Sequence, residues 1–216
     1  MTPVAAVIFD CDGVVVDSEP ASFDLIADEL RLHGLALSHA EIASQFLGGT
    51  ITGVWEKARA LGARLPDDWV PAFYQRLYAR LAEGTPLIPG IEAVLDRLVE
   101  AGLPFAMGSN GSDHKMQVTL GQHPAVLAHF AGRMFSGQTV GRPKPAPDLY
   151  LHAAAALGIA PALCVVIEDS ATGAMAARAA GMRCLGYAPQ GAAGALVAAG
   201  ARPFADMADL PALLGL

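Results

Sequence analysis

Short apolar, β-rich runs alternate with helical patterns along most of this 216-residue chain. The first run, residues 4–9, ends directly at Asp10. Four later runs of the same character span residues 103–107, 133–136, 163–167 and 183–187. Continuous apolar strands are typical of a sheet buried on both faces, and strand–helix alternation favours parallel pairing. The sequence therefore predicts an α/β fold with a Rossmann-like parallel sheet as its core.

Residues 17–84 break this alternation. They contain helical patterns at 23–32, 40–46, 54–60 and 71–82 and no convincing strand. A helical insertion after the first strand is expected above the carboxyl end of the sheet, where α/β proteins bind ligands. We therefore predict an α/β catalytic core domain of residues 1–14 and 86–216 and an all-helical cap domain of residues 15–85. The alternative is a helical subdomain without a role in binding.

Charge and composition narrow the choice of partners and compartment. A net charge of −7 and a pI of about 5.2 argue against binding to a nucleic-acid backbone. Two long uncharged stretches, 149–167 and 184–201, are interrupted by glycine and proline, so we predict no membrane span. Three cysteines in apolar runs, without a recognisable secretion signal, indicate reduced thiols and a cytoplasmic protein.

The first predicted strand is followed by Asp10-Cys11-Asp12-Gly13. Alternation along the strand directs both aspartates to one side, and the glycine permits the chain to turn. Two carboxylates this close repel each other unless a cation or a shared proton intervenes. One is then suited to be an ionised nucleophile or metal ligand and the other a general acid. A polar strand end that caps the next turn is the open alternative.

A second acidic pair, Glu168-Asp169, follows the predicted strand at 163–167. Carboxylates that converge at the carboxyl edge of a sheet form an oxygen-rich site suited to Mg²⁺. The alternative is structural, because Ser170 or Thr172 can cap the helix that follows.

Two further segments are suited to phosphate. Ser109 and Asn110 lie among small residues between a strand and a helix, where hydroxyl and backbone N–H groups can meet an anion. Lys144 lies between two prolines that restrict the backbone, and a fixed lysine is the expected counter-charge for phosphate in an acidic protein. The alternatives are an ordinary strand–helix turn and a surface lysine at a helix start.

These motifs occur in a characteristic order: Asp10-x-Asp12-Gly13, Ser109-Asn110, Lys144-Pro145-x-Pro147-Asp148 and Glu168-Asp169-Ser170. The order resembles the haloacid dehalogenase-like (HAD) superfamily, in particular the β-phosphoglucomutase-like group with a helical cap. The resemblance implies a monomeric, Mg²⁺-dependent phosphatase of small phosphorylated metabolites. Residues 112–144 are similar to bacterial phosphatases of sugar phosphates and sugar-acid phosphates, so those substrates are favoured.

The resemblance also implies a role for each residue. Asp10 attacks the phosphorus, and Asp12 protonates the leaving oxygen and then activates water. The residues that bind phosphate are Ser109, Asn110 and Lys144. The metal is bound by Asp10, the backbone carbonyl of Asp12, Asp169, and Glu168 either directly or through water.

Other functions on the same fold require residues that differ from those of a phosphatase. Sugar-phosphate mutases of this kind carry a cap histidine and a cap arginine, where this chain has Ser22 and Ile51. The missing arginine favours hydrolysis, although Arg76 or Arg80 can substitute, so a mutase is the alternative function. Dehalogenases and phosphonate hydrolases lack the second aspartate. A non-catalytic binding protein is expected to have lost a nucleophile or metal ligand, and none is missing here.

Overall fold

The structure is a computed structural model that describes residues 3–46, 50–189, 191 and 193–216. It divides into two compact units, one made of Met1–Asp17 with Pro86–Leu216 and the other of Ser18–Thr85. The first unit continues beyond residue 14 because Val15 and Val16 are fully buried in its hydrophobic core. Val16 also forms an antiparallel bridge with Leu87. The assignment of these units as catalytic core and cap stays a prediction.

In its described part, the unit Ser18–Thr85 consists of helices joined by loops. Its helices are α1 (Glu19–Leu32), α2 (His39–Phe46), α3 (Ile51–Ala60) and α4 (Trp69–Glu83). In α4 the buried residues Trp69, Phe73, Leu77 and Leu81 recur every four positions, which places them on one face of the helix. The helical patterns in the sequence thus predicted each of these four helices.

A buried carboxylate connects α1 with α4. Glu29 accepts hydrogen bonds from Arg76 Nε at 2.6 Å and Arg76 Nη2 at 2.9 Å. Trp69 Nε1 donates a third bond to it at 3.0 Å. A bidentate arginine is the partner that a buried carboxylate needs, so Arg76 has a structural task in this unit. Arg80 instead pairs with Glu83 on the exposed surface at 2.7 Å.

We expect Glu29→Ala to lower the free energy of unfolding of this unit by about 2 kcal/mol, because Arg76 and the Trp69 indole lose a buried partner. Glu83→Ala is the matched control, and its effect should stay below about 1 kcal/mol because that ion pair is exposed. Urea unfolding followed by tryptophan fluorescence measures both, since both tryptophans of the chain, Trp55 and Trp69, lie in this unit. Equal effects of the two variants would contradict the role of Glu29.

The other unit contains a parallel sheet of six strands in the order β3-β2-β1-β4-β5-β6. The strands are β1 (Ala6–Phe9), β2 (Phe105–Ser109), β3 (Met134–Ser136), β4 (Cys164–Glu168), β5 (Arg183–Tyr187) and β6 (Arg202–Phe204). The first strand of the sequence lies in the middle, where Phe9 is in register with Met107 on one side and Ile167 on the other. The carboxyl ends of β1, β2 and β4 are therefore adjacent.

Helices cover both faces of this sheet. They are α5 (Ile91–Glu100), α6 (Asp113–Leu120), α7 (Pro124–His129), α8 (Gly137–Val140), α9 (Asp148–Leu157), α10 (Ala171–Ala179), α11 (Gly194–Ala199) and α12 (Leu210–Leu214). Val7 and Phe9 join one apolar cluster, with α5 and α12, whereas Ala6 and Ile8 join another, with α9 and α10. The alternating side chains of β1 thus separate two buried layers, and the predicted α/β fold is confirmed.

Strand β6 was missed from the sequence. It has three residues, and its central Pro203 has no N–H to donate. Proline is tolerated because, among the described residues, β6 is an edge strand with β5 as its one neighbour. In the part of the chain that the structure describes, no helix is both long and apolar enough to cross a bilayer.

Candidate active site

The predicted site residues come from the carboxyl ends of adjacent strands. Asp10 follows β1, and its N–H donates to the carbonyl of Ile167 on β4 at 2.9 Å. Ser109 and Glu168 are the last residues of β2 and β4, although the sequence placed them just after those strands. The parallel register thus brings side chains from three distant parts of the chain to one edge of the sheet.

Lys144 connects two buried carboxylates at this edge. Its ammonium donates to Asp10 Oδ1 at 2.6 Å and to Glu168 Oε1 at 2.7 Å. The Lys144 side chain is only 3% exposed, so water screens these contacts little. The same ammonium lies 4.8 Å from the centre of the Tyr150 ring. A buried cation is therefore fixed beside the proposed nucleophile, not in a surface turn.

Asn110 holds the backbone of the lysine segment. Its side-chain oxygen accepts from the N–H of Lys144 at 2.9 Å, and its side-chain nitrogen donates to the carbonyl of Lys144 at 3.2 Å. Both ends of the amide are thus engaged with Lys144. The predicted contact of Asn110 with phosphate stays a prediction, and its observed contacts position Lys144.

Glu168 is held from several directions. Besides the lysine, the Tyr150 hydroxyl donates to Oε1 at 2.8 Å. The N–H and the hydroxyl of Ser170 donate to Oε2 at 2.9 and 2.8 Å. Gly173 leaves room for this carboxylate, because a Cβ there would overlap Glu168 Oε1. These contacts give Glu168 one orientation.

Burial and the Lys144 ammonium act in opposite directions on the pKa values of Asp10 and Glu168. Burial raises the pKa of Asp10 to about 7, and the charges of Glu168 and Asp12 add to this, while Lys144 opposes it. Burial also favours the neutral form of Glu168, but Lys144 and hydrogen bonds from Ser170 and Tyr150 outweigh it, so the pKa of Glu168 lies below its ordinary value. A further cation at Asp10 would favour its ionised form.

Asp10, Glu168 and Asp169 form a cluster that can hold a cation. Each offers a carboxylate oxygen, and the three oxygens lie within 4.8 Å of one another. Gly13 has a left-handed φ of 77°, and a side chain there would overlap Asp169 Oδ2, so glycine allows this approach. An all-oxygen donor set suits a hard divalent cation such as Mg²⁺.

The side chain of Asp12 has different partners. Lys115 Nζ donates to Asp12 Oδ1 at 2.7 Å, and Ser109 Oγ lies 3.4 Å from Asp12 Oδ2. Burial alone would lower the pKa of Lys115, but the charge of Asp12 and the hydrogen bond raise it above its ordinary value. Each of the two aspartates therefore pairs with its own lysine, Asp10 with Lys144 and Asp12 with Lys115.

Lys115 and Tyr150 were missed from the sequence. Each is the third residue of a helix that begins near this edge of the sheet, Lys115 in α6 and Tyr150 in α9. Side chains lean toward the helix N-terminus, which here points them at the site. A lysine in the first turn is disfavoured by the helix dipole, so its position was a signal that a carboxylate partner lies nearby.

We expect Mg²⁺ to stabilise the protein, by about 2.7 kcal/mol when the cation is at about 100 times its Kd. Asp169→Asn should remove most of this gain because it weakens the oxygen cluster. Asp96→Asn is the control, since Asp96 is an exposed carboxylate on α5. Thermal unfolding with and without Mg²⁺ measures the gain, and an undiminished gain in Asp169→Asn would contradict the site.

Known proteins are similar to this chain over most of its length. The sequence profile of the haloacid dehalogenase-like hydrolases matches residues 4–181. Hexitol phosphatase A of Escherichia coli K12 is 33% identical over 81% of this chain and 78% of its own length. The 6-phosphogluconate phosphatase of the same organism is 31% identical over 84% of this chain and 81% of its own length.

A solved structure has the same fold over nearly the whole chain. It is a HAD family hydrolase of Deinococcus radiodurans R1, determined with bound phosphate and sodium. The TM-score is 0.83 at 36% identity, and the match covers 100% of this chain and 96% of that one.

Proposed function

Because this chain belongs to the haloacid dehalogenase-like hydrolases and is an enzyme of their phosphatase type, we propose that it hydrolyses sugar or sugar-acid phosphates through an aspartyl-phosphate on Asp10. The observation that carries this proposal is the pairing of the two aspartates. Asp10 is buried against the Lys144 ammonium, and Asp12 is held by Lys115. Two carboxylates with different environments are suited to different roles.

In the first half-reaction, Asp10 uses a carboxylate oxygen to form a bond to phosphorus while the bond from phosphorus to the leaving oxygen breaks. Asp12 gives its proton to that leaving oxygen, so the product alcohol departs neutral. Lys144 donates to the transferring group and to Asp10, and thereby offsets the negative charge that both bring to the site. The hydroxyl of Ser109 is a further donor.

In the second half-reaction, a water oxygen bonds to phosphorus and the bond from Asp10 to phosphorus breaks. Asp12, now ionised, accepts the proton of that water, so both aspartates return to their starting states. Asp10, Glu168, Asp169 and the backbone carbonyl of Asp12 would hold Mg²⁺. When bound, the cation supplies positive charge to the phosphoryl oxygens.

The substrate class and the role of the helical unit are part of the proposal. Relatives named as a hexitol phosphatase and a 6-phosphogluconate phosphatase support phosphorylated sugar alcohols and sugar acids as candidates. The helical unit is inserted between β1 and β2, which supports a role as a cap domain that selects substrate. We also expect a cytoplasmic monomer; the three cysteines are free and buried, which is compatible with a reducing compartment.

The contacts of Arg76 argue against the mutase alternative. A mutase needs a cation to grip the phosphate that does not react, and Arg76 already neutralises the buried Glu29. Among the ion pairs of the described residues, Arg80 takes part in one, which it forms with the exposed Glu83.

The test is a screen of phosphorylated sugars, sugar alcohols and sugar acids with Mg²⁺, read as released phosphate. Hydrolysis of members of these classes supports the proposal. Phosphorus NMR of the same mixtures distinguishes the alternatives. A phosphate that moves between positions of a sugar without release indicates a mutase. Binding without any turnover indicates a non-catalytic protein.

A further inference from the structure

We propose that Lys115 is a positioning residue that orients the carboxylate of Asp12 for proton transfer and takes no part in binding phosphate. This inference rests on the proposed phosphatase function. It adds to that function a residue from helix α6, outside the four sequence motifs. In the proposed arrangement, Lys115 holds Oδ1 of Asp12, so Oδ2 is the oxygen that carries the proton.

The contacts of Asp12 support this division between its two oxygens. Lys115 Nζ lies 2.7 Å from Oδ1, whereas Oδ2 is on the side of Ser109, 3.4 Å from its hydroxyl oxygen. A carboxylate held through one oxygen has a fixed plane, so its other oxygen also has a fixed direction. Proton transfer requires that direction, because the acid must be within hydrogen-bond reach of the leaving oxygen.

The lysine stem is itself confined. The side chain of Lys115 is 15% exposed, and its N–H is bonded to the hydroxyl of Ser112, the cap of α6. A Cβ at Gly111 would lie 3.2 Å from Lys115 Cδ and 3.1 Å from Ser109 Oγ, so this glycine allows the stem to pass. A confined lysine loses little further rotamer freedom when it pairs, which lets the pair act as a rigid support.

The two lysines at this edge of the sheet, the buried Lys144 and the partly buried Lys115, therefore have separate tasks. Lys144 contacts Asp10, the proposed nucleophile, and Glu168, and both carboxylates belong to the cluster that can hold a cation. Among the described residues, the Lys115 ammonium forms its ion pair with Asp12. A defect at Lys115 should appear where a proton must be delivered, and a defect at Lys144 should appear with every substrate.

The experiment compares two aryl phosphates of similar shape. Phenyl phosphate has a leaving group that needs a proton, whereas para-nitrophenyl phosphate has a leaving group that departs with little help. In Lys115→Met, kcat/KM for phenyl phosphate should fall at least about 10-fold, which is less than the roughly 10²- to 10⁴-fold contribution of a whole general acid because Asp12 is still present. The value for para-nitrophenyl phosphate should fall by less than about 3-fold. This ratio isolates the step up to formation of the aspartyl-phosphate.

Three controls accompany the measurement. Arg97→Met removes a positive charge from an exposed pair on α5 and should leave both values unchanged. The inhibition constant of inorganic phosphate should be the same in wild type and Lys115→Met, because phosphate binding does not involve Lys115. In the Asp12→Asn background, Lys115→Met should add less than about 2-fold, since residues that act through one another are not additive.

Several results would overturn the proposal. An equal loss with both aryl phosphates, a weakened inhibition by phosphate, or full additivity with Asp12→Asn would each show that Lys115 acts on phosphate or on the fold. Thermal unfolding shows whether Lys115→Met is folded. If it is not, Lys115→Gln replaces it and should show the same difference between the two aryl phosphates, but a smaller one. A Lys115→Gln variant without that difference would also overturn the proposal. Wild-type protein that releases phosphate neither from the aryl phosphates nor from any phosphorylated sugar, sugar alcohol or sugar acid would instead refute the phosphatase function.

Discussion

Asp10→Asn should abolish phosphate release, with kcat lower by at least about 10⁵-fold, a loss of the size seen when a nucleophile is removed. The physical reason is that a neutral amide oxygen does not form the covalent intermediate. The fold should survive, because asparagine keeps the shape of the side chain and still presents an oxygen to Lys144. The measurement is release of phosphate from para-nitrophenyl phosphate with Mg²⁺, beside circular dichroism of the folded variant.

Asp12→Asn is the matched variant, since it makes the same chemical change two residues away. It should slow both half-reactions but leave the nucleophile in place, so an activated aryl phosphate should still label the protein before hydrolysis stalls. A structure with beryllium fluoride should show the beryllium bonded to a carboxylate oxygen of Asp10. Beryllium bonded to Asp12, or turnover retained by Asp10→Asn, would show that the two roles are assigned wrongly.

Lys144→Met should weaken both catalysis and folding. Loss of one preorganised charge costs about 2–4 kcal/mol of transition-state stabilisation, which is about 30- to 1,000-fold in rate. In the absence of Mg²⁺ the unfolding free energy should also fall by about 3 kcal/mol, because Asp10 and Glu168 remain buried without their shared cation. Mg²⁺ should restore much of that stability, because it supplies positive charge to the same carboxylates.

The pH dependence of Lys144→Met gives a second readout. Burial raises the pKa of Asp10 to about 7, and Lys144 lowers that pKa. Without Lys144 the pKa of Asp10 should rise further, and an ionised nucleophile is present only above its pKa. The rising limb of the pH–rate profile should therefore move to higher pH than in wild type. Arg97→Met serves as the control, and its rising limb should lie at the same pH as in wild type. A rising limb that moves to lower pH in Lys144→Met would contradict the pairing of Lys144 with Asp10.

The sequence by itself determined the class of fold and located the candidate site residues along the chain. Apolar strands and helical periodicity are short-range properties, so they predicted five of the six strands and the helices of the inserted unit. The family resemblance is likewise confirmed by the profile that matches residues 4–181. The sequence missed β6 and the short helices α7, α8, α11 and α12, since elements of three to six residues carry little periodic signal.

Only the tertiary structure decided which polar side chains meet. Lys144 pairs with Asp10 across 134 positions of sequence, and Lys115 pairs with Asp12 across 103. Such pairs depend on the order of strands in the sheet, which places β1 between β2 and β4, and no local pattern encodes that order. The structure for the same reason shows Asn110 bonded to the backbone of Lys144, where the sequence suggested only a phosphate contact. Residue types and strand ends are local properties of a sequence, whereas the partner of each charge depends on the assembled sheet.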